Sequence, residues 1–346
     1  MQDLKKLIGI AALSLASANA GASTEVDIEQ QARSLWHDAI LAGYQSLATN
    51  AGDFSRAAEA YCESPDYASR KSVEQAWLNA FLSWQKVRFV DFGPVENNNT
   101  AWQMQFWPDP KNLIAKKARY LIKSDAEVTP EVVDQSGVAV QGFPMAEYLL
   151  YDEPLNTSDT GLPAANTCRL LTSVAEHIQN NSEALASDWQ SLRESYLTTE
   201  QYRDATIRAG MGALEILEER RLAQPMGMRG TGKRSKYDAD AWRSGNSLKT
   251  VEASLEGLKT YFLPGLSLLL NNSSQPELTQ SIKGQFDEAL GHFPELREPM
   301  ATLLQDESFS QLQGFYVDLS QLVVLVNEMA SVELGVVRGF NSSDGD

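Results

Sequence analysis

Apolar residues recur at steps of three and four along nearly the whole chain. Between residues 28 and 48 the set is Ile28, Ala32, Leu35, Trp36, Ala39, Ile40, Gly43, Tyr44 and Leu47. Val73, Trp77, Ala80, Phe81, Trp84 and Val87 repeat the pattern, as do Phe309, Leu312, Phe315, Leu319, Leu322, Val326 and Met329. This spacing places apolar side chains on one helical face. Alternation of period two with β-branched residues is scarce, so the chain is expected to be all-α. The predicted long helices are 27–49, 66–90, 138–151 and 165–194 in the first half, then 198–222, 246–262, 275–290 and 306–335. Two tandem four-helix-bundle domains are the economical packing for eight such helices. They would span 21–196 and 197–346, with residues 1–20 set apart.

Three segments interrupt the periodicity. "DFGPVENNNTAWQMQFWPDPKN" (91–112) is aromatic and carries three prolines. "DEPLNTSDTGLP" (152–163) reads as a polar turn. "QPMGMRGTGKRSKYDADAWRSGN" (224–246) is glycine-rich and basic. Long loops inside compact domains tend to be functional or disordered. The first and third mix aromatic residues with charge and are the candidates for function.

The N-terminus changes the picture of where the protein acts. "MQDLKK" is a positive start, "LIGIAALSLA" an apolar core, and Ala18-Asn19-Ala20 a small-x-small cleavage site. These are the parts of a secretory signal peptide cleaved after Ala20. The apolar stretch is too short to span a bilayer comfortably. No later segment reads as a membrane span, the most apolar being the short "LVVLV" (322–326). A soluble, exported protein is expected. Its formal net charge of −17 draws it neither to nucleic acid nor to anionic lipid. Cys62 and Cys168 are the two cysteines. In an oxidising compartment an isolated pair is expected to be bridged, tying the second helix region to the start of the fourth.

Metal and charge motifs are sparse. None of His37, His177 and His292 has an acid three residues before it, as di-iron bundles require, and no His-Glu-x-x-His occurs. "HFPE" (292–295) contains Pro294, which breaks the helical face that its His and Glu would need. Met226 and Met228 could offer thioethers to Cu(I), but packing explains them better. Arg229, Lys233, Arg234, Lys236 and Arg243 could receive an anionic group or simply balance nearby acids.

"QGFPMAEYLL" (141–150) leaves two readings open. Gly142 makes a turn, Pro144 starts a helix and Glu147 satisfies its first-turn electrostatics; or Glu147 belongs to a site. The stretch resembles the signature of the imelysin-like family, Gly-x-His-x-x-Glu followed by an apolar run. Gly142 and Glu147 match, and Pro144 stands in place of the His. "FLSWQKVRFVDFGPVE" (81–96), "QFWPDPKN" (105–112) and "AWRSGNSLKTVEASLEGLKTYF" (241–262) are similar to further segments of that family. The resemblance implies two four-helix bundles with the signature near the groove between them. It also implies export by a bacterium and a link to iron uptake; the founding members were described as metallopeptidases.

Pro144 has no donor atom, and catalytic zinc takes three protein ligands. The expectation is therefore a periplasmic, non-catalytic imelysin-like protein that binds a ligand or partner in iron uptake. No metal or cofactor is assigned, with iron possible as a pathway ligand and periplasmic or outer-membrane uptake components as partners. The candidate ligand-binding residues are Arg88, Asp91, Glu96, Trp107, Glu147 and Arg243. Two alternatives stand beside it. One is a metallopeptidase recruiting His37 or His292 with several acids. The other is a binder of acidic polysaccharide through the 229–243 loop.

Overall fold

A computed structural model describes residues 14–124, 127–157 and 165–337, with side chains from residue 28 and, in the last span, from 167. All regular structure among them is helical, as the periodicity predicts. Of the expected signal peptide, residues 1–13 lie outside the described residues and Ser14 to Ala20 belong to the first helix.

Helix α1 (Ser14–Glu63) is longer than the predicted 27–49. The apolar stripe continues through Ala51, Phe54, Ala58 and Tyr61, all fully buried, so nothing stops the helix at Gly52. Cys62 therefore sits in the last turn of α1 rather than in the second helix region. It is bonded to Cys168 with a Cα–Cα distance of 5.6 Å. Helix α2 (Tyr67–Val87) starts at a capping box. Ser69 N donates to Asp66 Oδ1 at 2.7 Å and Asp66 N donates to Ser69 Oγ at 3.0 Å, satisfying two end amides at once. Next come α3 (Leu113–Lys123), α4 (Gly142–Tyr151) and α5 (Ala165–Ser191).

Helix α6 (Gln201–Glu215) runs into a π-helical segment, Ile216–Ala223. The same happens where α7 (Ser247–Gly257) meets Leu258–Phe262 before α8 (Leu263–Asn271). Helix α9 (Glu277–Gly291) is followed by α10 (Phe309–Val323). The continuous helix Phe309–Glu333 is long and apolar enough to cross a membrane by composition, a feature the short "LVVLV" run understated. It packs on α6 and α9, and 44 % of its most apolar window is buried in the protein.

Helices α1 and α2 lie against α4 and α5 on one side. Their other faces meet the second half, α1 against α8 and α2 against α7. The α2–α7 crossing is close because Gly257 has no Cβ: one placed there would lie 2.0 Å from the Lys86 carbonyl oxygen. Trp36 of α1 donates from Nε1 to the Phe262 carbonyl at 2.6 Å, fastening the halves through a fully buried indole. Residues of the 91–112 and 224–246 segments line a common cavity.

Candidate functional site

The start of α4 is set by Gly142. Its φ of +79° lies in the left-handed region, and a Cβ there would stand 2.2 Å from the Gln103 carbonyl oxygen and 2.4 Å from that of Met104. Only glycine lets the chain turn this closely against the 103–105 backbone. The helix begins at Gly142, so Glu147 lies beyond the first turn, two residues further in than a start at Pro144 would place it. Its partner is consequently not a first-turn amide. Glu147 Oε1 accepts from Ser244 N and from Ser244 Oγ, both at 2.9 Å, and Oε2 has no donor among the described residues.

Glu147 is 4 % exposed and faces a cavity of about 620 Å³. Its lining includes Phe106, Trp107 and Pro108 of the 91–112 segment, Tyr237 and Trp242 of the 224–246 segment, and Pro144 and Glu147. Volume and lining suit a small organic molecule. Burial pushes the Glu147 carboxyl up to about 7; the Ser244 hydrogen bonds and nearby Arg243 oppose this, and Asp240 adds to it. Arg243 stacks on Trp242 with its guanidinium carbon 4.3 Å from the ring centroid, and pairs through Nε with Asp152 at 3.5 Å.

The predicted site residues fall into three places. Trp107, Pro144, Glu147 and Arg243 line one cavity. Arg88 lies behind it, with its guanidinium carbon 5.9 Å from the Trp107 ring centroid. Asp91 and Glu96 are exposed and do not reach the cavity; Glu96 accepts from Gly93 N at 2.8 Å and holds its own turn.

The basic loop is largely engaged within the chain. Arg229 donates to both carboxylate oxygens of Glu219, at 2.5 and 3.0 Å, and Arg234 donates to Asp306 at 2.6 Å. Sequence reasoning missed Ser244, Gln105, Arg221 and Asp240. Gln105 Oε1 accepts from Trp84 Nε1 (3.0 Å) and Gln85 Nε2 (2.8 Å), and its Nε2 donates to Asp240 Oδ2 at 3.2 Å. Arg221 is turned into this network from the π-helical segment, a geometry that period counting does not register. Ser244 adjoins the candidate Arg243, and that adjacency was the one available signal.

A family model for imelysin, peptidase M75, matches residues 40–326, and the chain belongs to that family. Its fold is similar to that of an imelysin-like protein from Psychrobacter arcticum 273-4, with a TM-score of 0.80 and 19 % identity. That alignment covers 91 % of this chain and 98 % of the other. It is also similar to a protein of Parabacteroides distasonis ATCC 8503 provisionally named an iron-regulated protein A precursor. There the TM-score is 0.69 and the identity 15 %, over 89 % of this chain and 95 % of that one. Comparison with curated proteins gives no match.

A peptidase family implies a metal, and the donor set does not fit one. Among the described residues no group of three or more His, Cys, Asp and Glu side chains is close enough to hold an ion. Pro144 offers no donor, and Glu147 has already committed Oε1 to Ser244. The histidines are engaged elsewhere. His37 is buried with Nε2 at 3.0 Å from the Trp189 carbonyl, His177 pairs with Asp134 at 2.5 Å, and His292 pairs with Asp318 at 2.5 Å.

Proposed function

We propose that this chain is an exported, non-catalytic binding protein of bacterial iron acquisition. In this reading the cavity over Glu147 holds an organic ligand or the end of a partner chain. The observation that carries it is the cavity of about 620 Å³, lined in part by aromatic residues, with a Glu147 carboxylate oxygen that no described residue engages. Aromatic faces supply contact area with little entropy loss, and the lone oxygen selects a hydrogen-bond donor on the ligand. A metallopeptidase would need a first coordination shell that the groove residues do not offer.

Export and the iron connection enter this proposal from two sides. The first is the signal-like N-terminus, cleaved after Ala20 and delivering the protein to the periplasm. The second is the iron-regulated, precursor designation of the Parabacteroides protein. Division into bundles of 21–196 and 197–346, with the cavity between loops of the two, belongs to the same proposal.

Native mass spectrometry on protein purified from the periplasm tests it. A copurifying organic mass, absent from Trp107→Ala and Glu147→Gln, is the expected result, with Gly21 as the first residue. Chelator-sensitive cleavage of protein substrates by the purified chain would overturn it.

A further inference from the structure

The groove leaves unexplained the charge behind its Trp107 wall. Arg88 and Arg221 both approach that indole, with guanidinium carbons 5.9 and 5.8 Å from the ring centroid. Arg221 is 2 % exposed, and the carboxylate facing it is Asp240, 3 % exposed, at 3.3 Å. Arg88 forms no ion pair among the described residues. Two guanidiniums against one carboxylate leave a positive charge without a counterpart, in a chain that is otherwise strongly acidic. Guanidinium does not shed its proton in proteins, and an unpaired charge withdrawn from water is costly.

The available acceptors are already taken. Gln85 Oε1 accepts from Arg221 Nη2 at 2.5 Å, and Ser254 Oγ accepts from Arg221 Nη1 at 3.1 Å. Asp240 accepts from Thr250 Oγ1 at 3.0 Å and from Gln105 Nε2 at 3.2 Å. Arg88 is half-buried, but its Nη1, like Arg221 Nε, is buried without a hydrogen-bond partner among the described residues. Both arginines line the same small cavity of about 40 Å³, distinct from the groove and walled by Phe89, Ala213, Leu217 and Leu258. Ile216, also at this cavity and 37 % exposed, marks its route to solvent.

We infer that this cavity is a binding site for a small monovalent inorganic anion of chloride size, held by Arg88 and Arg221. A water molecule would fit the volume but would leave the charge uncompensated. A polyatomic anion such as phosphate would bring several acceptor oxygens into a lining that, beyond the arginines, is apolar except for Gln85 and Ser254, which already donate to Gln105 and Thr250. Bound chloride would hold both guanidiniums against Trp107, the indole that the groove shares, so the anion would stiffen the wall on which a groove ligand packs. This inference stands on the arginine pair and does not depend on what the groove binds.

The experiment uses the intact protein and chloride itself. Unfolding midpoints are compared in sodium chloride and sodium gluconate at equal ionic strength, gluconate being too large for the cavity. At about a hundredfold excess over its Kd, chloride should raise the wild-type midpoint by roughly 4 °C relative to gluconate. Arg88→Met removes the surplus charge and should show no such difference. Crystals soaked in bromide should give an anomalous peak between the Arg88 and Arg221 guanidiniums. Equal wild-type midpoints in the two salts, a chloride response retained by Arg88→Met, or bromide absent from that position would overturn the site. Should Arg88→Met fail to fold, the wild-type salt comparison and the bromide peak decide alone.

Discussion

Glu147 and Ser244, 97 residues apart in sequence, meet through two hydrogen bonds of 2.9 Å onto one carboxylate oxygen. The contact joins the signature helix of the first half to the loop of the second, beside the cavity that Glu147 lines. It holds a carboxyl group out of water, and that has a measurable consequence.

The Glu147 carboxyl lies near 7 in the folded protein against an ordinary 4.5, chiefly through burial. A raised carboxyl means that the folded state keeps a proton the unfolded chain has released. Stability is therefore fully present below the unfolded value and falls as pH climbs from 4.5 to 7. The loss from this one group is at most about 3 kcal/mol. Glu147→Gln carries no titrating group and keeps an oxygen for Ser244. Its stability advantage over wild type should be absent near pH 4.5 and grow to a plateau above pH 7, as chemical denaturation at a series of pH values will show. A pH-independent difference between the two proteins would mean that the Glu147 carboxyl titrates alike in the folded and unfolded chains.

Gly142→Ala should be severely destabilising. The backbone is left-handed there, and the added carbon would collide with the carbonyl oxygens of Gln103 and Met104, in the short helix Thr100–Met104. Backbone strain of about 1 kcal/mol or more adds to displacement of the 103–105 segment, so a loss of roughly 3 kcal/mol or failure to fold is expected. Denaturant titration reads it directly. An alanine variant with wild-type stability would show that the turn is not held as described.

The fold was legible because helix periodicity is a local property: Ile40, Tyr44 and Leu47 announce their face without knowledge of their partners. The helix ends were less so, since α1 continues past Gly52 on apolar residues the prediction had left outside any helix. Of the site, Trp107 and Arg243 were found because loops mixing aromatic residues with charge stand out in a helical chain, and Glu147 through the signature that 141–150 resembles. Asp91 and Glu96 share that composition and lie elsewhere, as composition says nothing of direction. Arg221 and Asp240 could not be read at all. Each looks like an ordinary surface charge until a π-helical segment and a loop from different places in the chain bury them together.

Reduction should expose what the Cys62–Cys168 bridge contributes. It ties the end of α1 to the start of α5 across 106 residues of sequence, and a loop of this length stabilises by about 5 kcal/mol in the chain-entropy model. Cys62→Ser with Cys168→Ser should lower stability by up to that amount and leave the helical circular dichroism unchanged. Thiol titration of the denatured, oxidised wild type should find no free thiol; two reactive thiols per chain would show the bridge unformed.

A fragment of residues 21–196 should be helical and melt cooperatively, with a lower midpoint than the whole chain. It keeps the α1, α2, α4 and α5 contacts but uncovers Trp36, whose indole donates to Phe262, and the α2 backbone that Gly257 approaches. Exposing so large an apolar side chain costs about 2–3 kcal/mol. A fragment that stays unfolded would mean that the two halves share one core and that the division at 196 is misplaced.

Calorimetry with Zn²⁺ and Fe²⁺ separates a binding groove from a metal centre. A divalent ion at Glu147 would find one uncommitted oxygen, since Oε1 is held by Ser244. Asp152 is paired with Arg243 and Asp240 with Arg221, so neither is free to turn without leaving a guanidinium unpaired. Pro144 contributes no atom at all. One carboxylate oxygen competes poorly with water for such ions, so no heat that depends on Glu147 is expected from either metal. Glu147→Gln and wild type should therefore give superimposable titrations while differing in what they retain in the cavity. Tight binding by the wild type that disappears in Glu147→Gln would make this helix a metal site and return the chain to the peptidases for which its family is named.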